Sequence, residues 1–247
     1  MAESEEQFVP AEARNFRTTH WSVVLAARDE GFGARNTALE TLCRTYWYPL
    51  YAYVRRKGHD AHDAQDLTQG FFERFLSKNY LQSVAADRGK FRSFLLASLN
   101  HFLANEWDKS QTQKRGGGHE IISLDAEMAE ERYDREPGHE LSPEKIFERR
   151  WANTVLEIVL KRLRAEFDVA GQVKRFDALK GFILDERGAT PFAEVARQLN
   201  MNEAAVKSAV HRMRKRFREL FREEIANTVA SPAEIEEEIR HLILALK

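Results

Sequence analysis

The chain is predicted to be all-α, with two helical modules joined by a partly flexible linker. Apolar residues recur at helical spacing in almost every periodic segment, and the sequence has neither an alternating strand pattern nor an internal repeat. The glycine run 116–118 interrupts this periodicity, and the chain stays acidic and polar as far as about Pro143. These breaks divide the sequence into an N-terminal extension with a short helix (1–36), a first module (37–115), the linker (116–147), a second module (148–226) and a C-terminal extension helix (227–247).

The composition favours a soluble, globular protein. Charged residues make up 31% and apolar residues 43% of the 247 positions, and the formal net charge is −1. The acidic N-terminus has no apolar signal segment, and no apolar run is long enough to cross a bilayer, so we expect a cytoplasmic protein that does not act at a membrane. The single cysteine, Cys43, excludes an intramolecular disulfide and a Cys-ligated zinc site, and we expect a buried, inert thiol.

The first module begins with two consecutive helices. A short helix in the extension can start at Thr19, and the first helix of the module carries Pro49, which should bend it, and ends at Gly58. The next stretch, "HDAHDAQDLTQGFFERFL" (59–76), forms an amphipathic helix. A helical wheel puts one apolar face inward and a polar stripe outward. The inward residues are Ala64, Leu67, Phe71 and Phe75, and the outward residues are His62, Asp66, Gln69 and Glu73.

The outward stripe has three interpretations. His-Asp pairs are typical of metal-dependent phosphohydrolases, but such a site needs several ligands from separate helices, and no second His-Asp pair follows. A stripe that docks on a partner is favoured over the metal site. A merely solvated face remains the alternative, because periodicity alone does not distinguish the two.

The second module contains a predicted helix-turn-helix. A short helix capped by Thr190 is followed by Asn200, which tolerates a left-handed turn, and by Asn202, which can cap the next helix. That helix buries a stripe of Val206, Val210, Met213, Phe217 and Leu220. Its outer face is basic and suited to phosphates and base edges in the major groove, although an ordinary solvated helix would also look basic. The outer residues are Ser208, His211, Arg212, Lys215 and Arg218, and they are flanked by Lys207 and Arg214.

Two parts of the chain resemble a known family. The segment "YWYPLYAYVRRKGHDAHDAQDLTQGFFERFL", followed by "GKFRSFLLASLNHFLANEW", resembles region 2 of bacterial RNA polymerase sigma factors of the sigma-70 class, extracytoplasmic-function type. The segment "AVKSAVHRMRKRFREL" resembles region 4 of the same family. Together the resemblance covers residues 37–115 and 151–222, in the family's order.

The resemblance implies two partners for the first module. The helix at 59–76 would dock on the clamp helices of the largest subunit of core polymerase through His62, Asp66, Gln69 and Glu73. The following helix would bind the minus-10 promoter element and its flipped-out bases, where stacking and amide hydrogen bonds offset the cost of unstacking. The matching positions are Ser93, Phe94, Asn100, His101, Asn105 and Trp107, with Lys109, Lys114 and Arg115 near backbone phosphates. Phe94 and Trp107 equally fit a buried core.

The same resemblance implies that the second module reads the minus-35 element through the outer face of its helix-turn-helix. Two positions depart from the family pattern. Gly70 stands where an acid is usual, and Ala209 stands where a basic residue is common, so a clamp contact and a DNA contact are in doubt. The terminal extensions exceed the minimal pattern. The acids Glu234, Glu237 and Glu238 of the last helix are a candidate shield for the basic helix.

We therefore expect an alternative sigma factor that binds core polymerase, directs it to promoters and assists melting. It would be no enzyme and would need no cofactor, metal or small-molecule substrate. Its partners would be core polymerase and promoter DNA, both duplex and melted, with an anti-sigma protein as a further candidate. The alternative is a helix-turn-helix regulator that acts without polymerase, and a remote one is the His/Asp phosphohydrolase.

Overall fold

A computed structural model describes residues 32–75, 77, 90–112, 126–134, 141–183 and 191–247, without the side chains of 32–35, 37–39, 41, 108–112 and 126–128. These residues form helices, turns and connections, and the predicted all-α class is confirmed. The α-helices in order are α1 (Phe32–Arg56), α2 (Ala61–Phe75), α3 (Phe91–Thr112), α4 (Ala126–Asp134), α5 (Pro143–Val169), α6 (Val173–Leu179), α7 (Phe192–Gln198), α8 (Glu203–Ala226) and α9 (Ile235–Ala245). Short 3₁₀ turns lie at Lys180–Phe182 and Pro232–Glu234.

Helix α5 is the central element of the fold. Ser142 caps it by accepting a hydrogen bond from the Lys145 backbone N–H at 3.3 Å, and Pro143 occupies its first turn, where no donor is lost. It packs against α1, α6, α8 and α9. At the α1 contact, Tyr53 meets Phe147 edge-on, with ring centroids 6.5 Å apart.

This packing joins the two predicted modules in one hydrophobic core. Helix α4 and the start of α5 both lie inside the segment predicted as a linker, 116–147. Helix α1 begins at Phe32, within the predicted N-terminal extension. The described residues therefore contain more helix between the modules than the polar composition of that segment indicated. The division of the chain at the five predicted boundaries stays a prediction.

Helix α1 contains Pro49 in its interior and ends at Arg56, with Arg55 and Arg56 in its last turn. Gly58 follows in the left-handed region, with φ +100°, as predicted for the residue that terminates this helix. Cys43 is partly buried beside the core, and burial raises its thiol pKa to about 12. The thiol is therefore protonated and inert at neutral pH, in line with the prediction.

Gly70 lies in the interior of α2, where a Cβ atom would stand 3.5 Å from Phe102 Cζ, an ordinary van der Waals contact. We expect Gly70→Ala to stabilise the protein by about 0.5–1 kcal/mol, because alanine is the better helix former and the site has room for its methyl group. The midpoint of urea-induced unfolding measures this change. Gly58→Ala is the matched control, and it should destabilise the protein because the left-handed backbone there disfavours a Cβ. A loss of stability in Gly70→Ala would contradict the expected contact with Phe102.

Candidate functional site

The turn between α7 and α8 has the geometry expected from the sequence. Asn200 has φ +52°, and the Met201 N–H donates to the Ala196 carbonyl at 2.8 Å across the turn. The Asn202 side chain accepts a hydrogen bond from the Ala205 N–H at 2.7 Å and so caps α8. The predicted left-handed turn and the predicted cap are both confirmed. Thr190, the predicted cap of α7, lies outside the described residues.

The inner stripe of α8 is buried as predicted, at Val206, Val210, Met213, Phe217 and Leu220. Ala209 is buried as well, so its side chain points into the core rather than toward the outer face. A basic residue at that position would have to be buried, which costs free energy unless the charge is paired. The departure at Ala209 therefore removes nothing from the outer face of this helix.

The outer face of α8 is exposed and basic. All but one of the predicted contacts lie on it, namely Lys207, Ser208, His211, Arg212, Lys215 and Arg218. The exception is Arg214, which is half-buried and donates from Nε to the Phe182 carbonyl at 2.7 Å. This hydrogen bond holds α8 against the 3₁₀ turn at Lys180–Phe182. Arg214 thus has a structural contact that the sequence did not indicate.

Some of the basic residues of α8 form ion pairs and others do not. Arg216 binds Glu166 of α5 at 2.7 Å and Glu219 at 3.0 Å, and the hydrogen bonds that it donates to these carboxylates raise its pKa. Arg222 binds Glu236. Arg212, Lys215 and Arg218, in contrast, form no ion pair with the described residues.

The polar side of α2 agrees with the predicted stripe except at one residue. The side chains of His62 and Asp66 are 84% and 65% exposed, with Nδ1 and Oδ2 3.4 Å apart, and Glu73 is also exposed. Gln69 was predicted to face outward, and this is wrong, since it is only 8% exposed and its amide donates to Glu73 Oε1 at 3.3 Å. The reason is that α2 packs against both α1 and α3, so Thr68 and Phe72 are buried too and the inward sector is wider than one stripe.

The predicted minus-10 residues on α3 fall into different environments. Ser93, His101 and Asn105 are exposed, as the prediction requires. Asn100 is half-buried, and its Oδ1 accepts hydrogen bonds from the Tyr53 hydroxyl at 2.8 Å and from Lys57 Nζ at 2.9 Å. Its side-chain oxygen is therefore already engaged, which leaves the amide N–H groups for an external partner.

The two aromatic candidates on α3 have different environments. Phe94 packs against the core, with its ring 6.0 Å from Phe75 and 6.5 Å from Phe91. Trp107 is 63% exposed, so the alternative of a core residue is excluded for it. The side chain of Lys109 is not described, and Lys114 and Arg115 lie outside the described residues.

A groove between α2 and α3 brings together residues that were predicted for different partners. It has a volume of about 390 Å³ and is lined by Leu67, Leu103 and Trp107 together with acidic residues and one histidine. The acidic residues are Asp63, Asp66 and Glu106, and the histidine is His59. The exposed ring of Trp107 on α3 thus shares a groove with acidic residues of α2, and Glu106 beside it lies 3.8 Å from Arg74. The contact of Trp107 with the minus-10 element stays a prediction. The sequence did not single out Asp63 or Glu106, because no local pattern indicates a contact between the two helices.

No protein-family model, curated protein or solved structure matches the chain. The described residues hold no group of three His, Cys, Asp or Glu side chains placed to share a metal ion. In the same residues, no helix combines the length and the apolar composition that crossing a bilayer requires.

Proposed function

We propose that this protein is an alternative sigma factor, which binds core RNA polymerase, directs it to promoters and assists the melting of promoter DNA. The observation that carries the proposal is the exposed basic face of α8, positioned by the Asn200 turn and the Asn202 cap. The resemblance to sigma regions 2 and 4 adds the polymerase and the promoter as partners. The proposal gives the protein no reaction of its own and places it in the cytoplasm.

The outer face of α8 has the chemistry of a major-groove contact. Its cations, Arg212, Lys215 and Arg218, can neutralise phosphates, and an arginine can donate two hydrogen bonds to a guanine edge. The helix is held from behind by contacts of Arg214 and Arg216. A rigid helix of this kind loses little conformational freedom when it enters the groove.

The acidic surface of α2 has the opposite charge and therefore a different partner. Asp66 and Glu73, with the groove acids Asp63 and Glu106, favour a basic protein surface rather than DNA. The exposed ring of Trp107 adds apolar area and a face for a cationic side chain. These features support docking on the clamp helices of core polymerase.

Binding to core polymerase tests the proposal directly. We expect the natural chain to co-purify with core polymerase and to support transcription from mapped start sites in vitro. Asp66→Arg should weaken core binding at least tenfold, or about 1.4 kcal/mol, because it reverses the charge at the centre of the acidic surface. Asp168→Arg, at a position that is also exposed near the end of α5, is the control and should bind like the natural chain. Equal binding by both variants would contradict docking through α2.

DNA binding gives a second prediction. Arg212→Ala should weaken promoter binding by about 1–3 kcal/mol, and it should lower the slope of log affinity against log salt by about 1 if the lost contact is to a phosphate. Fluorescence anisotropy at several salt concentrations measures both quantities. Arg216→Ala is the matched control on the same helix, because Arg216 is engaged by Glu166, and it should leave the affinity unchanged.

A helix-turn-helix regulator that acts without polymerase is the second candidate, and the same α8 geometry favours it. Such a protein would bind a duplex operator as a dimer, with two half-sites one helical turn apart. It would show no affinity for core polymerase, and Asp66→Arg would leave its DNA binding intact. Core binding by the natural chain therefore separates the two functions.

A further inference from the structure

A buried cluster of charges fastens the C-terminal helix to the rest of the fold. The Arg92 side chain, 3% exposed at the start of α3, donates from Nε to Glu238 Oε1 at 2.6 Å and from Nη2 to Glu238 Oε2 at 3.2 Å. The Glu238 side chain is completely buried on α9, and it also lies 3.1 Å from Lys90 Nζ. Arg92 Nη1 donates to Glu148 of α5, and Lys90 binds Glu237 at 2.9 Å. The Arg92 cluster, defined by these five residues, joins α3, α5 and α9.

Further contacts connect the same region to α8. The Phe91 N–H donates to the Thr228 carbonyl at 3.4 Å, two residues beyond the end of α8. Arg222 of α8 pairs with Glu236 of α9, and the Arg92 guanidinium stands 4.9 Å from the centre of the Trp151 ring. The helix proposed to read the minus-10 element is thereby held against the base of the helix proposed to read the minus-35 element.

The acids in and just before α9 bind partners away from the outer face of α8. Glu237 and Glu238 bind Lys90 and Arg92, Glu236 binds Arg222, and Glu234 accepts a hydrogen bond from the Ala230 N–H at 3.1 Å. The basic outer face of α8 stays exposed. The hypothesis that the last helix shields that face is therefore wrong, and its acids neutralise the first residues of α3 instead.

The hydrogen bond between Phe91 and Thr228 limits how far apart the two DNA-binding surfaces can be. Asn100 lies nine positions after Phe91, which is about 14 Å along α3, and Arg212 lies sixteen positions before Thr228, which is about 24 Å along α8. The two residues are consequently no more than about 45 Å apart. Promoter elements centred 10 and 35 base pairs upstream of the start are about 85 Å apart along B-form DNA. The closed chain cannot reach both.

We propose that α9 and the Arg92 cluster form a latch that holds the protein in a closed state, and that core polymerase engages the open state. The inability to span a promoter rests on the proposed function, whereas the latch rests on the contacts alone. Opening must also part some of the packing between α5 and its neighbours α1 and α8, which keeps the closed state dominant in the free chain. The apparent affinity of a partner that binds only the open state is lowered in proportion to the fraction of chains that are open.

Distance measurements between spin labels at Ala97 on α3 and Leu244 on α9 test the latch. Both side chains are exposed, and Cys43→Ala in every sample prevents stray labelling. The free chain should give one short distance. Glu238→Gln, which keeps the size of the side chain but removes its charge, should add a longer one and tighten core binding by roughly tenfold. Asp177→Asn is the control, because it removes a carboxylate from an exposed ion pair with Lys180 that is separate from the Arg92 cluster, and it should change neither quantity.

The outcomes separate the latch from the proposed function. A long distance in Glu238→Gln without any binding of core polymerase would support the latch and reject the sigma function. Core-dependent transcription by a Glu238→Gln protein that keeps the short distance and the natural core affinity would reject the latch alone. A core-bound natural chain that keeps the short distance would reject it as well.

A cross-linked protein tests the latch independently, even if Glu238→Gln does not fold. Lys90→Cys and Glu237→Cys can be joined by a short, reducible linker, since the native side chains meet at 2.9 Å. The linked protein should lose core-dependent transcription and recover it when the linker is reduced. Full transcription by the linked protein would overturn the proposal.

Discussion

Arg92→Met is expected to destabilise the protein by about 3–5 kcal/mol, because it removes the main partner of a completely buried carboxylate. Glu238 would retain only Lys90, and Glu148 would lose its hydrogen bond from the guanidinium. Urea-induced unfolding at neutral pH measures the change. Arg216→Met makes the same substitution in an exposed ion-pair network and should cost less than about 1 kcal/mol. Equal losses of stability in Arg92→Met and Arg216→Met would contradict the expectation that a buried ion pair costs more to break than an exposed one.

The pH dependence of stability gives a second view of the same substitution. Burial alone would raise the pKa of Glu238, but hydrogen bonds and charge from Arg92 outweigh burial and hold that pKa below its usual value. A lowered carboxyl pKa contributes stability above the unfolded value, and this contribution is lost as the pH falls through the folded value. Arg92→Met should therefore lose less stability than the natural chain on acidification.

Glu148 acts in the opposite direction. Burial raises its pKa despite the nearby charges of Arg92 and His241, so its ionised form is disfavoured in the fold. Protonation of Glu148 then favours the folded state as the pH falls through its raised pKa. Glu148→Gln in the natural background should consequently deepen the acid-induced loss of stability, and urea midpoints at several pH values measure it.

Trp151→Ala has the other large expected effect, a loss of about 3–5 kcal/mol. The Trp151 side chain is completely buried in the N-terminal part of α5, beneath the Arg92 guanidinium, and its removal leaves a cavity that the packed helices cannot fill. The free energy of unfolding in urea gives the magnitude.

Trp107→Ala is the matched control, because it makes the same substitution at a position that is 63% exposed. Its stability should change by no more than about 0.5 kcal/mol. The affinity for core polymerase should instead be lowered more by Trp107→Ala than by Trp151→Ala, because the Trp107 ring lines the acidic groove. A strong loss of stability in Trp107→Ala would place that ring in the core and contradict its assignment to the groove.

The sequence predicts the elements that depend on neighbouring positions. The turn at Asn200, the cap at Asn202 and the buried stripe of α8 all follow from spacings of three or four residues, and the structure has each of them. The break at Gly58 follows from a single residue type. These local signals are sufficient to place the candidate DNA-binding face.

Contacts between distant positions were not predictable in the same way. Arg92 and Glu238 are 146 positions apart, which is more than half of the chain, and no periodicity connects them. Gln69 is buried because two helices cover α2, which a helical wheel of α2 alone does not include. The groove that joins Asp66 to Trp107 depends likewise on the packing of α3 against α2.

The packing of α1 on α5 has a consequence for the solubility of the protein. Tyr53 meets Phe147 there, and both rings are buried among other aromatic side chains. A chain that opened along this contact without a partner would present a large aromatic surface to water, and surfaces of that kind promote aggregation. Under the latch proposal, the closed state would also keep these aromatic rings covered while no partner is bound.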